Sequence, residues 1–169
     1  MLHVDLREVA RAAVETVGAV PAADPLFADI GVVLSEPVHV TGRVQAAGEG
    51  RFYWHGALRT TVAAECRRCL APVAVPIRAA IGTLFSRDAD VVADPDVYAV
   101  ARDATALELG PVVREELILA VPQFVECRED CRGLCPQCGR DLNAGPCGCR
   151  PPTDERWAGL AGLRDKLSD

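Results

Sequence analysis

The chain has 169 residues, of which half are hydrophobic and a quarter are charged, and its formal net charge at pH 7 is −6. This length suits one domain, or one domain with a small appendage, and the balance of residue types excludes a disordered chain. A protein with this net charge cannot hold nucleic acid through a general counterion-release effect. Any contact with RNA therefore requires a local basic patch or a protein partner.

The N-terminal stretch DLREVARAAVETVG, residues 5–18, predicts a first helix. Asp5 is expected to cap this helix, Glu8 completes a capping box, and Gly18 ends it. The charged residues interrupt any signal-peptide core, and no run approaches the ~20 apolar residues of a membrane span. We therefore expect a cytoplasmic protein, and in a reducing compartment grouped thiols bind metal more often than they form disulfides.

A change to a two-residue hydrophobic period at Val38 predicts an antiparallel β-meander. The expected strands are 38–46, 51–65 and 73–85. Pro76 favours an edge position for the third strand, because proline cannot donate to a neighbouring ladder. Cys66 and Cys69, in ECRRCL, then lie at the tip of the second hairpin, with both sulfurs directed off the end of the sheet.

The segment between the sheet and the cysteine-rich region predicts a loop and then a helix. Residues 87–104 are acidic and irregular, with a short strand expected over 97–100. GPVVREELILAVP follows, with Pro111 in the first helical turn and Pro122 as the stop. The apolar face of this helix is expected to cover the sheet.

These elements predict an α+β fold. It consists of an antiparallel β-meander or partly closed barrel with a covering helix, plus a C-terminal cysteine-rich zinc-binding segment. We expect the α+β domain, with its N-terminal helix, over residues 1–125, and the zinc-binding segment over 126–150. A short amphipathic tail helix is expected over 151–169.

The eight cysteines form four close pairs, as structural zinc sites require. The pairs are Cys66/Cys69, Cys127/Cys131, Cys135/Cys138 and Cys147/Cys149. The most economical grouping joins the third pair with the fourth, because only eight residues separate them and several of these eight favour turns. The second site then joins the first two pairs, and one or two structural zinc ions are expected. A CxC spacing is unusually tight, so Cys149 is expected to be a marginal ligand.

Other uses of these thiols stay open at the level of sequence. CPQC resembles a redox dithiol, although such a motif normally opens a helix after a strand. An iron–sulfur cluster and inert or partly used thiols are further alternatives.

The remaining polar residues form no catalytic constellation, so we expect a protein that is not an enzyme. The histidines lack a partner at ligand spacing, and His39 and His55 are expected at the surface. Glu115 and Glu116 are expected to face solvent. No phosphate-cradling glycine loop or HExxH motif occurs.

Arginines border the cysteines, and they could contact RNA or a protein partner. The candidates are Arg67, Arg68, Arg128, Arg132 and Arg140. The alternative is that they offset the net charge of −2 of each four-thiolate zinc centre.

The order ECRRCL, EELILAVP, CREDCRGLCPQCGRDLN with CGC, and DERWAGLAGL resembles the YceD-type large ribosomal RNA subunit accumulation proteins, a bacterial and plastid family. The resemblance covers about residues 60–165. It implies a non-enzymatic factor required for accumulation of large-subunit rRNA. Some members lack the C-terminal cysteines, so the resemblance also implies that metal is scaffolding and leaves the grouping of Cys66 and Cys69 open.

The implied partner is pre-ribosomal large-subunit RNA or a ribosomal protein, with no membrane and no small-molecule substrate. Two other hypotheses compete with this one. They are a thiol-based redox or metal-sensing protein, and a zinc-structured protein-interaction module unrelated to ribosomes.

Overall fold

The computed structural model describes residues 2–92, 94–149 and 156. The described chain is mostly β, with short helices and two sheets. Its strands are β1 His3–Asp5, β2 Val14–Val20, β3 Val33–Leu34, β4 Val38–Ala46, β5 Arg51–Glu65, β6 Pro72–Ser86, β7 Val97–Ala99 and β8 Ala106–Glu108. Its α-helices are α1 Leu6–Val9, α2 Ala89–Val92 and α3 Gly110–Ala120, and 3-10 turns occur at Pro25–Phe27 and Leu142–Ala144.

The main sheet has six strands, in the order β2-β4-β5-β6-β7, with β3 beside β5. All pairings are antiparallel except that of β6 with β7. The sheet is not closed, so the described residues form the predicted meander and not a partly closed barrel. The three strands predicted from the two-residue period are confirmed as β4, β5 and β6.

The hairpin of β5 and β6 is the longest feature of the molecule. It stays in register from the pair Arg51 and Ser86 to the pair Glu65 and Pro72. Fifteen residues at about 3.3 Å each make the hairpin about 50 Å long. Within the described residues, β7 pairs only with the last residues of β6, so Pro76 lies at an edge as expected. The hairpin tip therefore projects past the rest of the sheet and carries the first two cysteines.

The core lies on one face of this sheet. Trp54, Leu58 and Val62 of β5 are buried there, and Val112, Val113 and Leu117 of α3, which packs on β6, belong to the same core. Helix α3 therefore covers the sheet as its apolar period predicts. α1 and the small sheet of β1 and β8 complete the same layer through Val4, Val9 and Leu107.

The position of Trp54 depends on a close approach of β4 and β5. Its indole Nε1 donates to Thr16 Oγ1 at 3.1 Å, so the buried N–H is satisfied. Gly42 lies directly opposite Gly56, and a Cβ on Gly42 would be 2.6 Å from Trp54 Nε1. Glycine at 42 is therefore required by the indole.

The predicted N-terminal helix is wrong over most of its length. Asp5 does cap a helix, because its side chain accepts from Arg7 N, but α1 ends at Val9. Residues 14–20 instead form β2, which pairs with β4 along its whole length. The hydrophobic residues of this stretch fit both a helical period and a two-residue strand period. When β2 pairs with β4, the side chains of Val14, Thr16 and Val20 all face the core.

Between β6 and α3 the chain is less irregular than the sequence predicts. The short strand expected over 97–100 is present as β7, and β8 and α2 also form. The predicted tail helix over 151–169 lies outside the described residues except for Arg156. No helix in the described part of the chain is long and apolar enough to span a membrane.

Candidate metal centres

Two sets of four cysteines come together in the structure. The first set joins the hairpin tip to the segment after α3, and it contains Cys66, Cys69, Cys127 and Cys131. The second set lies within the C-terminal segment and contains Cys135, Cys138, Cys147 and Cys149. In each set all four sulfurs lie within 4.8 Å of one another. These are the two groupings that chain economy favours in the sequence, and Cys149 lies in its set.

The sulfur spacing suits a tetrahedral ion. In the first set, Cys66 Sγ lies 3.8 Å from Cys131 Sγ, and Cys69 Sγ lies 3.7 Å from Cys127 Sγ. Four sulfurs at about 2.3 Å from a zinc ion stand about 3.8 Å apart at the corners of a tetrahedron. A disulfide requires about 2.05 Å, and all eight thiols are free. The clusters could therefore each hold a metal ion.

The first pair of each set sits in the same backbone turn. Leu70 N donates to Cys66 O at 2.9 Å, and Gly139 N donates to Cys135 O at 2.9 Å. Cys66 N in turn donates to Ala71 O, and Cys135 N donates to Arg140 O, each at 2.8 Å. The residue after the second cysteine has positive φ in both turns, 61° at Leu70 and 70° at Gly139. CRRCL and CPQCG are therefore two copies of one cysteine turn.

The hairpin tip is held by backbone as well as by cysteines. Arg67 N donates to Val125 O at 2.8 Å, and Leu134 N donates to Arg68 O at 3.0 Å. Gly133 has φ of 72°, and a Cβ there would lie 2.8 Å from Arg68 O. The C-terminal segment thus passes the tip on both sides, and Gly133 permits the close approach.

Asn143 links the two clusters. Its Oδ1 accepts from Arg132 N at 2.8 Å and from Arg128 Nη2 at 2.9 Å. Its Nδ2 donates to Asp141 Oδ1 and lies 3.6 Å from Cys131 Sγ. Asn143 belongs to the loop of the second cluster, whereas Cys131 belongs to the first. The sequence identifies this residue only as a turn former.

Backbone N–H groups and neighbouring thiols set the acidity of the cysteines. The pKa of Cys66 falls to about 6, chiefly because the backbone of Cys127 donates to its sulfur, and the pKa of Cys135 falls to about 6 chiefly through the backbone of Cys138. Burial raises the pKa of Cys127 to about 12, and hydrogen bonding with Cys138 is the main cause that raises the pKa of Cys149 to about 12. Each cluster thus favours one thiolate but resists four, because like charges repel. A bound cation would remove that repulsion.

Two of the five candidate arginines hold the hairpin tip. Glu126 forms ion pairs with Arg67 at 2.6 Å and with Arg68 at 3.2 Å. Arg67 also lies 5.1 Å above the ring of Phe124, and Arg68 Nη1 donates to Cys131 O. These contacts fix the tip against the C-terminal segment.

The other three candidate arginines lie in the C-terminal segment itself. Arg128 pairs with Asp130 at 3.2 Å in addition to its bond to Asn143. Arg132 and Arg140 are exposed, and no ion pair joins their side chains to the rest of the described chain. Within the described residues, these two candidates therefore have guanidinium groups that no carboxylate neutralises.

The remaining candidate groups lie elsewhere. His55 is exposed and His39 half-buried, both on the sheet face opposite the core. Glu115 is exposed and accepts from Tyr98 Oη. Partial burial, with the neighbouring charge of Glu115, raises the pKa of Glu116. None of these groups belongs to either cysteine cluster.

The chain is similar in sequence to several mycobacterial proteins. The chain is 32% identical over 130 residues to uncharacterized proteins of Mycobacterium tuberculosis and Mycobacterium bovis, an alignment that covers 75% of this chain and 62% of each relative. It is 26% identical over 147 residues to an uncharacterized protein of Mycobacterium leprae, covering 82% of this chain and 67% of the relative. The chain therefore spans less than two thirds of the length of the first two relatives. No solved structure matches it.

The family model gives the most specific match. It covers residues 54–164, about two thirds of the chain, from Trp54 near the start of β5 through both cysteine clusters. The chain belongs to the family described as large ribosomal RNA subunit accumulation protein YceD.

Proposed function

We propose that this protein is a non-enzymatic assembly factor of the large ribosomal subunit. It acts in the cytoplasm and binds pre-ribosomal RNA or a ribosomal protein. The observation that carries the proposal is the family match, whose description names accumulation of large-subunit rRNA. A factor of this kind needs a rigid surface, and the clamped hairpin tip supplies one.

The two cysteine clusters are proposed to hold structural zinc. Thiolate-only ligand sets in tetrahedral spacing are typical of closed structural sites, which leave no position for a substrate. Cys66, Cys69, Cys127 and Cys131 would hold the first ion, and Cys135, Cys138, Cys147 and Cys149 the second. The segment 127–149 buries few apolar side chains, so zinc binding would supply the folding free energy that a hydrophobic core otherwise supplies. A bound ion contributes this cross-linking and no reaction step.

The association with ribosomes is tested by depletion and by sedimentation. Depletion of the protein should lower the ratio of large-subunit to small-subunit rRNA, and the tagged protein should sediment with large-subunit precursors and not with mature ribosomes. A normal rRNA ratio after depletion, with no tagged protein on precursor particles, would contradict the proposal.

The chemistry of the clusters is tested on the purified chain. Elemental analysis should give two zinc ions per chain, and the intact protein should have no reactive thiol. A redox or sensor protein would instead show a low-pKa cysteine that reacts without loss of metal.

The arginine candidates need a test that leaves the clamp intact. Replacing Arg67 and Arg68 by Glu would place acidic side chains beside Glu126 and destabilise the tip, because both arginines pair with that carboxylate. Arg132→Glu with Arg140→Glu changes the same number of charges without removing an ion pair from the described chain. Loss of precursor association in this variant, with zinc content unchanged, is the expected result if the cysteine-rich end makes the contact.

A further inference from the structure

The outer face of the main sheet, opposite the core, carries a row of basic side chains across three strands. His39 of β4 lies directly opposite Arg59 of β5, and Arg59 lies directly opposite Arg78 of β6. Both arginines are exposed and His39 is half-buried. Directly opposed like charges on one sheet face are destabilising. The row therefore works against the stability of the sheet.

Nothing else in the described chain compensates this row. Neither Arg59 nor Arg78 forms an ion pair with another described residue, although the chain contains 24 acidic residues. Glu15 lies on the same face but pairs with Arg43 at 3.6 Å. Two guanidinium groups are thus presented side by side to solvent. Their positive charge is local, in a protein whose net charge is −6.

An aromatic pair lies on the same face of β5. The rings of Tyr53 and His55 are stacked, with centroids 6.1 Å apart and planes inclined by 24°. A Cβ on Gly82 would lie 2.9 Å from Tyr53 Oη, so the glycine leaves room for the tyrosine to lean across β6. The outer face therefore offers both aromatic surface and positive charge.

A shallow groove of about 510 Å³ separates the two features. Thr41, Ala57 and Ala80 occupy one row across its floor, and Val17, 83% exposed, stands at its border. Alternate residues of a strand are about 6.7 Å apart, so Tyr53, His55 and Arg59 follow one another along β5 at multiples of that spacing. The groove is continuous with the basic row, because Arg59 and Arg78 line it.

We propose that this outer face binds a single-stranded segment of RNA, a proposal that rests on the proposed function and names its ligand surface. Arg59 and Arg78 contact phosphates, and Tyr53 and His55 stack on bases. Bases are available for stacking only where RNA is unpaired, and aromatic side chains on a sheet beside basic groups are the usual means of binding such segments. An acidic peptide would satisfy the arginines but would leave the half-buried Tyr53 and the exposed His55 without a role.

The test measures RNA binding by the whole 169-residue chain loaded with zinc. The probe is an unpaired RNA of about 12 nucleotides, a length within the site sizes of single-strand binders, compared with an RNA duplex of equal length. The variants are Arg59→Gln with Arg78→Gln, and Tyr53→Ala with His55→Ala. Arg11→Gln with Arg102→Gln is the control, since it removes the same charge from exposed positions away from this face.

We expect the single strand to bind better than the duplex, and each outer-face variant to weaken binding about 10-fold or more. In the arginine variant the dependence of log K on log salt should fall by about 0.7 for each phosphate that the protein no longer neutralises. The control variant should bind like the wild type, and circular dichroism should show every variant folded. Three results would overturn the proposal. They are equal RNA binding by the wild type and the outer-face variants, equal affinity for the single strand and the duplex, and binding of a ribosomal protein in place of RNA by this face.

Precursor association in cells separates this proposal from the proposed function. A wild-type chain that does not sediment with large-subunit precursors removes the proposed function. If the wild type sediments with precursors and the Arg59→Gln, Arg78→Gln variant sediments equally well, the proposed function stands. The outer face is then not its binding surface. Loss of sedimentation in that variant alone supports both.

Discussion

Cys66 Sγ and Cys131 Sγ lie 3.8 Å apart although 65 residues separate them in the chain. The first belongs to the tip of the long β5–β6 hairpin, and the second follows α3, the helix that covers the sheet. A metal ion shared by these sulfurs would close a loop that contains β6, β7, β8 and α3. The first cluster therefore connects the sheet to the C-terminal segment, whereas the second cluster organises that segment alone.

This difference predicts unequal consequences for the two clusters. The first closes a loop with a sequence separation of 58 between Cys69 and Cys127, and the second closes one with a separation of nine between Cys138 and Cys147. At about 0.6 kcal/mol for each doubling of loop length, the first closure is worth about 1.6 kcal/mol more. Cys69→Ser should therefore lower the free energy of unfolding by more than Cys147→Ser does, while each variant retains about one zinc ion.

Denaturant titration with elemental analysis of the same samples checks this prediction. Loss of both ions in either variant would mean that the clusters are one cooperative unit. Equal destabilisation by the two variants would mean that the first cluster does not clamp the sheet.

Leu70 and Gly139 occupy the same position of the two cysteine turns, CRRCL and CPQCG, and both have positive φ. A non-glycine residue in this region of backbone space is destabilised by about 1–2 kcal/mol. Leu70 is 59% exposed, so its replacement removes little apolar burial. Leu70→Gly should therefore raise stability by about 0.5 kcal/mol after the entropy of glycine in the unfolded chain is deducted.

The reverse change at the equivalent position is the matched variant. Gly139→Leu should lower stability by about 1 kcal/mol or more, because a side chain there acquires the same strain. Thermal unfolding of both proteins in the presence of zinc measures the pair. Destabilisation by Leu70→Gly would show that the leucine side chain makes a contact that outweighs its backbone strain.

The long alternating strands could be predicted from the sequence because one period persists over fifteen residues in β5 and β6. The grouping of the cysteines followed from chain economy, since the third and fourth pairs are adjacent. Strand β2 could not be predicted, because its residues fit a helical period and become a strand only through pairing with β4. Local periodicity carries no information about that partner.

The basic row lies outside the sequence prediction for a different reason. Arg59 lies six residues before Glu65, and Arg78 lies six residues after Pro72, the pair that closes the hairpin. Equal distances from a turn place two residues opposite each other in an antiparallel pair. The signal is therefore present in the sequence once the register of the hairpin is known. The role of Asn143 has no such signal, because it depends on how two loops meet.

Asn143 gives the third prediction. Its Nδ2 is 3.6 Å from Cys131 Sγ and directs an N–H donor at a sulfur of the first cluster. Asn143→Asp replaces that donor by an oxygen that repels sulfur, and outer partners of metal ligands typically alter affinity about 10- to 100-fold. We expect zinc at the first cluster to be lost at lower chelator concentration, although residue 143 lies in the loop of the second.

Competition with a zinc chelator measures this effect, and Asn143→Ala is the comparison. The alanine variant loses the hydrogen bonds without adding charge, so its zinc affinity should lie between those of the wild type and the aspartate variant. If only the second cluster loses zinc, the link between the two clusters is not what Asn143 provides.

Arg78→Glu separates stability from binding on the outer face. The substitution turns a repulsive cross-strand pair with Arg59 into an attractive one, and opposite charges directly across a ladder contribute roughly 0.2–1 kcal/mol. The variant should therefore be more stable than the wild type in low salt and should bind single-stranded RNA less tightly. Denaturant unfolding and RNA titration on one preparation give both quantities.

Arg78→Gln is the intermediate case, because it removes the repulsion without adding an attraction. Stability should rise in the order wild type, Arg78→Gln, Arg78→Glu, and the differences should shrink as salt screens the charges. RNA affinity should fall in the same order. An anion bound at the row would explain the repulsive pair of Arg59 and Arg78 at an exposed position. The ligand would then supply the negative charge that no described residue places beside the two arginines. A fall in stability on either substitution would mean that Arg78 stabilises the sheet itself, and the case for a ligand at this row would lose its physical basis.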